Sequence, residues 1–157
     1  MGLHWARLVV VGLLVLALAG PIGHVLEAPG KWNLPPDVWL TVQQRMYAGY
    51  AIIGAVGYVG APIACLALAW WRRGTEEGHV ALLATLLIVA AFMTWWVVVA
   101  PVNTLIAGAR LGAIPPDWVN WRRQWQAGHA ACALLVATAL ALQVNALISP
   151  PARPTAA

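Results

Sequence analysis

Four long apolar segments alternate with short polar connections along this chain. The apolar segments cover residues 5–25, 38–71, 79–100 and 118–148. Each contains a run close to the roughly 20 helical residues that cross the hydrocarbon layer of a bilayer. Because backbone polar groups in lipid must be paired internally, the pattern predicts helices. We expect an all-α, integral-membrane four-helix bundle that forms one domain over residues 1–148, followed by a loose Pro-rich tail at residues 149–157.

Proline, glycine and polar residues set the expected ends of these helices. Pro29 and Gly30 are predicted to stop the first helix, and Pro101 is predicted to open a loop after the third. Both predictions follow because proline lacks the N–H that continues a helix. The second segment is longer than its apolar part, so we expect its first turns, residues 41–47, to be amphipathic and to lie in or above the lipid headgroups.

Two stretches of the chain echo each other. Leu34-Pro35-Pro36-Asp37 matches Ile114-Pro115-Pro116-Asp117, and each stretch is followed by a Trp and a Gln/Arg cluster. Two repeated helical hairpins would explain the similarity, and they would be parallel repeats about an axis along the membrane normal. Chance would also explain it, because Pro and Asp favour the start of a helix in any protein. Both alternatives stay open.

Composition and charge exclude a soluble domain and a nucleic-acid partner. The chain is 62% hydrophobic and only 9% charged, and its mean hydropathy is +0.76. The net charge is +4, but the basic residues flank the apolar runs and form no long basic tract. The expected partner is therefore the lipid bilayer. Cys65 and Cys132 lie inside apolar runs without metal-binding spacing, so we expect buried free thiols.

The N-terminus resembles a secretory signal, because Arg7 precedes an apolar run at residues 8–18. We interpret it as the first transmembrane helix. The nine Lys and Arg residues divide almost evenly between the two ends of the predicted bundle, so the positive-inside rule gives no orientation. The signal-like start favours a cytoplasmic N-terminus. We expect a multi-pass protein of a bacterial inner membrane.

Four spans bring polar side chains together at one end of the bundle. The ends of segments one and three must lie on the same side as the starts of segments two and four. That side collects His24, Glu27, Lys31, Gln43, Gln44, Arg45, Tyr47, Asn103, Arg110, Arg122, Arg123, Gln126 and His129. The opposite side carries far fewer polar groups. The asymmetry predicts that one membrane face is built as a site, since ionisable groups at the mouth of a bundle are functional by default.

The start of the fourth segment is the most polar part of this predicted site. Arg122, Gln126 and His129 follow i, i+4, i+7 and fall on one helical face. Trp121 and Trp125 belong to a neighbouring aromatic stripe. A Trp-lined pocket with an imidazole and a guanidinium at its rim suits a flat aromatic or quinone-like small molecule.

The sequence also contains a candidate metal-ligand set. His24, Glu27 and His129 supply two imidazoles and one carboxylate, the ligands of a mononuclear non-haem iron site with open positions. Iron or copper would suit these ligands, and haem bound by the two histidines is a further alternative. The competing interpretation pairs Glu27 with Lys31 and makes His129 a hydrogen-bonded packing residue, with no cofactor at all. The cofactor is therefore unknown from the sequence.

Several short motifs together resemble one known family. They are the stretch His24–Lys31, Gln43-Gln44-x-x-Tyr47, Pro101-Val102-Asn103 and Trp121-Arg122-x-x-Trp125-x-x-x-His129. The pattern resembles the anthrone-oxygenase-like family of small four-helix membrane proteins, and the resemblance covers nearly the whole chain. It implies oxidation of a phenolic polycycle, such as an anthrone, to a quinone. By motif it implies Asn103, Arg122, Trp125 and His129 as the candidate functional residues. The chain departs from the family pattern at Gln126 and Cys132.

The leading hypothesis is an integral-membrane oxidoreductase or oxygenase that acts on a hydrophobic aromatic or quinoid substrate at one membrane face. His129 would be a base or a ligand, and Arg122 would stabilise a developing phenolate. Asn103 completes the catalytic candidates. The predicted substrate-binding residues are Trp121, Trp125, Tyr47 and Gln43.

The alternative hypothesis is a non-catalytic accessory subunit of a larger photosynthetic or respiratory membrane complex. Its tryptophan belt and small-residue helix faces would dock it against the other subunits. Hydrolase, kinase and nicotinamide-dependent activities have no support, because the sequence has no nucleophile elbow, phosphate loop or dinucleotide-binding motif.

Overall fold

The structure is a computed structural model and describes residues 2–148, so the predicted tail at 149–157 lies outside the described residues. Within residues 2–148 the chain is helical and contains no strand. Four stretches are long and apolar enough to cross a membrane: Gly2–Lys31, Gly49–Trp71, Glu76–Gly108 and Trp118–Ile148. The predicted all-α four-helix bundle is confirmed, and the chain is a multi-pass membrane protein.

The helices follow one another with short connections. They are α1 (Gly2–Lys31), α2 (Pro36–Arg45), α3 (Ala48–Trp71), α4 (Glu76–Thr94), a π-helical turn (Trp95–Val99), α5 (Ala100–Gly108) and α6 (Trp118–Ile148). The α4 helix, the π-helical turn and α5 form one continuous span. Helices α1 and α4 each pack against both α3 and α6, so the four spans form a ring in the order α1, α3, α4, α6. The short α2 lies against α5.

Three predicted helix ends were wrong. The first helix continues through Pro29 and Gly30 to Lys31, where a proline in the last turn removes only one hydrogen bond. The second segment is two helices, because the chain breaks at residues 46–47 between α2 and α3. The third span continues past Pro101, which stands in the first turn of α5, directly after the π-helical turn. A proline is tolerated there because its missing N–H is not required.

Glycine allows close contact at two helix crossings. A Cβ atom on Gly57 would overlap the backbone of Ala17, so α3 approaches α1 there to backbone contact. A Cβ atom on Gly128 would lie 2.6 Å from Cγ2 of Val99, so α6 packs directly on the π-helical turn. Such small residues are the usual means of close helix packing in membranes. These contacts fix α3 against α1, and α6 against the π-helical turn.

The N-terminal end of the bundle is held by an ion cluster. Glu77, at the start of α4, accepts hydrogen bonds from Arg7 at 2.6 and 2.7 Å and from Arg72 at 2.8 Å. Arg7 belongs to α1, and Arg72 directly follows α3. Thr75 caps α4, since its hydroxyl accepts a hydrogen bond from the Gly78 N–H. The cluster therefore ties three of the four spans together at the end opposite the predicted site.

Candidate functional site

A cavity of about 900 Å³ lies at the predicted site end, between α3 and the wall formed by the π-helical turn and α5. Side chains of α1, α2, α4 and α6 complete its lining. Its polar and aromatic lining residues are His24, Gln43, Gln44, Tyr47, Tyr50, Tyr58, Phe92, Trp95, Trp96, Asn103, Trp125 and His129. The remaining lining is formed by small and aliphatic residues. The cavity is therefore an aromatic pocket with a few polar groups, the composition typical of small-molecule sites.

Two buried histidines meet at the inner wall of this cavity. His24 comes from α1 and His129 from α6, and their ring centroids are 4.4 Å apart. The Trp125 ring contacts both imidazoles, with centroid distances of 4.6 Å to His24 and 4.2 Å to His129. The convergence follows from the topology, because the last turns of α1 and the first turns of α6 pack side by side. The predicted meeting of the two histidines is observed.

The carboxylate of Glu27 organises the polar groups beside His24. Its Oε2 atom lies 2.7 Å from the Lys31 ammonium, accepts the Tyr47 hydroxyl at 3.0 Å and lies 3.6 Å from Nδ1 of His24. The Lys31 ammonium also lies 4.3 Å from the centroid of the Tyr47 ring and 4.8 Å from that of Trp125. Burial, and then the hydrogen bond to Glu27, raise the pKa of Tyr47 above its ordinary value. Tyr47 therefore stays protonated at neutral pH and acts as a hydrogen-bond donor.

Four residues of the cavity carry buried polar atoms without a hydrogen-bond partner among the described residues. The atoms are Nδ1 of His24, Nδ1 of His129, both amide atoms of Gln43 and the hydroxyl of Tyr58. A buried polar atom left unpaired costs roughly 1–3 kcal/mol. A ligand that carries hydrogen-bonding groups would recover that free energy. These atoms are the strongest sign in the structure that the cavity binds a polar part of a ligand.

Asn103 and Trp125 act together in the cavity wall. The Trp125 indole N–H donates to Oδ1 of Asn103 at 2.8 Å, and both residues line the cavity. Asn103 thereby fixes the orientation of the ring that contacts both histidines. Six predicted site residues are thus brought to one cavity: His24, Gln43, Tyr47, Asn103, Trp125 and His129.

Arg122 and Trp121 do not line the cavity. The Arg122 guanidinium lies between the rings of Trp32 and Trp118 and donates to the carbonyls of Lys31 and Trp32 at 3.3 and 3.2 Å. Those carbonyls close the C-terminal end of α1, so Arg122 caps that helix. Trp121 donates to Asp117 at 3.0 Å and belongs to the aromatic core around α2 and α5. The predicted oxyanion role of Arg122 therefore has no support from its position.

The predicted metal-ligand set is not assembled. His24 and His129 are neighbours, but Glu27 is engaged by Lys31 and Tyr47. Across residues 2–148, no group of three or more His, Cys, Asp or Glu side chains is placed to hold a metal ion. The two imidazole rings contact each other directly, which leaves no space for a porphyrin between them. The residues present thus fit neither a three-ligand metal site nor a bis-histidine haem.

Sequence reasoning missed the role of the π-helical turn in this site. The turn carries Trp95 and Trp96 into the cavity wall. Gln124 of α6 donates to the Val98 carbonyl at 3.0 Å and so satisfies a backbone group within the turn. Single π-helical turns are frequent at functional sites. The nearby Pro101 was the available signal, since prolines often accompany irregular turns in a helix.

The fold and this cavity define a class: a multi-pass helical membrane protein with an aromatic cavity at one end of the bundle. Comparison of the chain with protein-family models, with curated proteins and with solved structures finds no match. The function is therefore argued from the cavity itself.

Proposed function

We propose that this protein is an integral-membrane oxidoreductase that binds a flat phenolic or quinoid substrate in the aromatic cavity. One observation carries the proposal. The residues with buried, unpaired polar atoms, His24, His129, Gln43 and Tyr58, all line a cavity whose other walls are largely apolar and aromatic. Aromatic walls stack on a flat ring, and the polar atoms match oxygen substituents on that ring.

The pair of imidazoles supplies a base for such a substrate. Two rings in contact, with the Lys31 ammonium close to His24, repel a second positive charge, so the pair accepts one proton at a time. Taking a proton from the ring CH2 of an anthrone leaves an electron-rich anthrolate, and dioxygen forms a C–O bond at that carbon to give a hydroperoxide. Loss of the second hydrogen from the same carbon, with cleavage of the O–O bond, leaves the quinone carbonyl and releases water. The balanced reaction is anthrone plus O2 to anthraquinone plus water. The imidazolium returns its proton to the departing water, as a general acid does.

Tyr47 and Asn103 support this chemistry from two sides. Tyr47 lines the cavity next to His24, with ring centroids 4.6 Å apart, and its hydroxyl donates to the Glu27 carboxylate, which lies 3.6 Å from Nδ1 of His24. Asn103 holds Trp125 against both imidazoles. The substrate ring is thereby confined to the space in front of the two histidines.

The test is turnover by purified protein in lipid nanodiscs. A hydroxyanthrone is supplied in air, and quinone formation and oxygen uptake are followed together. We expect His129→Ala to lower kcat/KM by at least about 100-fold, the usual contribution of a general base. The matched control is His79→Ala, because His79 is exposed at the opposite end of the bundle. It should behave as wild type.

Two results would contradict the proposal. Undiminished turnover in a folded His129→Ala variant would remove the assigned base. A wild-type protein that oxidises no anthrone and co-purifies with a larger respiratory or photosynthetic complex would favour the accessory-subunit hypothesis.

A further inference from the structure

The end of the cavity that faces the membrane surface is partly covered by α2. Gln44 of α2 donates to the carbonyls of Ile106 and Ala109, at the end of α5, at 2.8 and 3.0 Å. Asp37, in the first turn of α2, accepts the N–H of Gly112 at 2.7 Å. Helix α2 is thus fastened to α5 and to the loop that follows it, and it contributes Gln43 and the exposed Gln44 to the cavity lining.

The side of the cavity between α3 and α5 is open. Helix α3 packs along α1 and α4, whereas α5 packs on the π-helical turn, α6 and α2, and the contact between α3 and α5 is at most marginal. Both helices nevertheless contribute lining residues to the cavity. The opening therefore lies in the gap between these two helices.

The rim of this opening is apolar and exposed. Val59 of α3 and Trp96 of the π-helical turn are each 56% exposed, and both line the cavity. Ala55 and Ala107 are further exposed lining residues, one on each side of the gap. All four lie in stretches that are long and apolar enough to span a membrane. In a bilayer, the medium in front of this opening is acyl chains.

The cavity is deep along the membrane normal. Its lining on α3 runs from Tyr50 to Val59, which is about 13 Å of helix at 1.5 Å per residue. That length is close to half of the roughly 30 Å hydrocarbon layer. A volume of about 900 Å³ is near the upper end of the roughly 300–1,000 Å³ found for small-molecule pockets. The cavity has room for a ring system and part of a hydrocarbon chain.

We infer that the natural ligand is a membrane-dissolved amphiphile, an oxygen-substituted ring bearing a long hydrocarbon chain, that enters laterally between α3 and α5. Its ring lies against His24 and His129, and its chain leaves the protein past Val59 and Trp96 into the bilayer. The ring chemistry rests on the proposed function, whereas the chain follows from the opening alone. A chain-bearing quinone and a chain-bearing phenol share this chemistry, and turnover distinguishes them.

Glycines offer a matched pair of variants. A Cβ atom on Gly54, which lines the cavity, would meet nothing within 4 Å, so Gly54→Phe adds a ring to the cavity without a backbone clash. Gly12 likewise has nothing within 4 Å, but it is exposed on α1 away from the cavity. Gly12→Phe is therefore the control for adding a bulky side chain at an open glycine.

The experiment is a ligand titration of the protein in nanodiscs, read by native mass spectrometry. The probes are a benzoquinone with a long isoprenoid chain and the same benzoquinone without it. We expect one chain-bearing quinone per wild-type protein, bound at least tenfold more tightly than the chain-free ring. Gly54→Phe should weaken that binding at least tenfold, and Gly12→Phe should leave it unchanged. Circular dichroism melting of each variant shows that it is folded.

A second pair of variants tests the lateral opening. Ala55→Trp narrows the gap, and Ala90→Trp, at an exposed position of α4 outside the cavity lining, is its control. We expect Ala55→Trp to slow uptake of the chain-bearing quinone from the bilayer at least fivefold, with no change for Ala90→Trp.

The outcomes separate this inference from the proposed function. Equal binding of the two quinones, no binding of either, or wild-type binding by Gly54→Phe would overturn the inference, even if the protein oxidises a chain-free anthrone. Tight, Gly54-sensitive binding of the chain-bearing quinone without any oxidation of phenols would support the inference and overturn the proposed reaction.

Discussion

Two glutamates, one at each end of the bundle, show how similar residues come to serve different purposes. Glu77 uses both carboxylate oxygens, and its partners are the guanidinium groups of Arg7 and Arg72 at 2.6–2.8 Å. Its side chain is only 12% exposed. The pair of Arg7 with Glu77 is bidentate, which makes the contact directional and strong. Neither guanidinium group releases a proton near neutral pH. Glu77 is a structural clamp.

Glu27 has partners of another chemistry. One oxygen is shared by the Lys31 ammonium, the Tyr47 hydroxyl and, at 3.6 Å, the His24 imidazole, and the side chain is 38% exposed. An amine, a phenol and an imidazole can each change protonation state within a protein, whereas the guanidinium groups around Glu77 stay protonated. Two of these partners, Tyr47 and His24, also line the cavity. The kind of partner, more than the presence of an ion pair, therefore distinguishes the site from the clamp.

The largest expected effect on stability is at the clamp. Glu77→Ala leaves two partly buried arginines without their shared carboxylate. Breaking a fully buried pair costs roughly 3–5 kcal/mol, and we expect about 2–3 kcal/mol here because Arg7 and Arg72 are partly exposed. Thermal unfolding in detergent, followed by circular dichroism, measures the loss. The control is Glu76→Ala, an exposed neighbour in the same helical turn. A Glu77→Ala variant as stable as this control would show that the cluster is not a clamp.

At the site end, removal of the carboxylate charge of Glu27 should affect turnover more than folding. Glu27→Gln keeps the shape of the side chain but removes the charge that holds Tyr47 and Lys31 beside His24. We expect kcat/KM for anthrone oxidation to fall about tenfold, a typical loss when a group that orients a catalytic histidine is removed. Its melting temperature should change less than that of Glu77→Ala, because the glutamine oxygen still accepts hydrogen bonds from Tyr47 and from Lys31, which is only 7% exposed. If Glu27→Gln lowered the melting temperature more than Glu77→Ala did, the distinction between clamp and site would not hold.

How much of this arrangement the sequence predicts is clearest in α6. The i, i+4, i+7 spacing of Arg122, Gln126 and His129 correctly places all three on one face, and that face meets α1. Gln126 donates to the His24 carbonyl at 2.8 Å, Arg122 caps α1, and only His129 reaches the cavity. Helical periodicity predicts a face, but it does not tell whether a long side chain there meets backbone or ligand. Which of the two a side chain meets depends on how far α1 extends, and Pro29 led to a wrong prediction of where α1 ends.

The shape of the cavity, unlike the expectation of a Trp-lined pocket, was beyond prediction for a related reason. Its outer wall depends on the π-helical turn and on the continuation of the third span past Pro101. Both features depend on tertiary contacts, in which Gly128 packs on Val99 and Gln124 bonds the Val98 carbonyl. A hydropathy pattern does not predict such tertiary contacts. The four spans and the meeting of His24 with His129 follow from hydropathy and topology, and these were predicted.

The smallest effect, and the most specific, is a change in one tyrosine titration. Burial, and then Glu27, raise the pKa of Tyr47, so its phenol stays protonated above the ordinary range near 10. A raised pKa in the folded state means that Tyr47 contributes its full stabilisation at pH values below its pKa in the unfolded chain. This stabilisation is lost as the pH rises toward its pKa in the folded protein.

Removing the charge in Glu27→Gln should lower the Tyr47 pKa toward its ordinary value. Ultraviolet absorbance of the phenolate measures this, with Tyr47→Phe to assign the signal among the three tyrosines. Because Glu77 has no phenol among its partners, Glu77→Gln should leave the titration unchanged, and an equal shift in both variants would show that the effect is not local to Glu27.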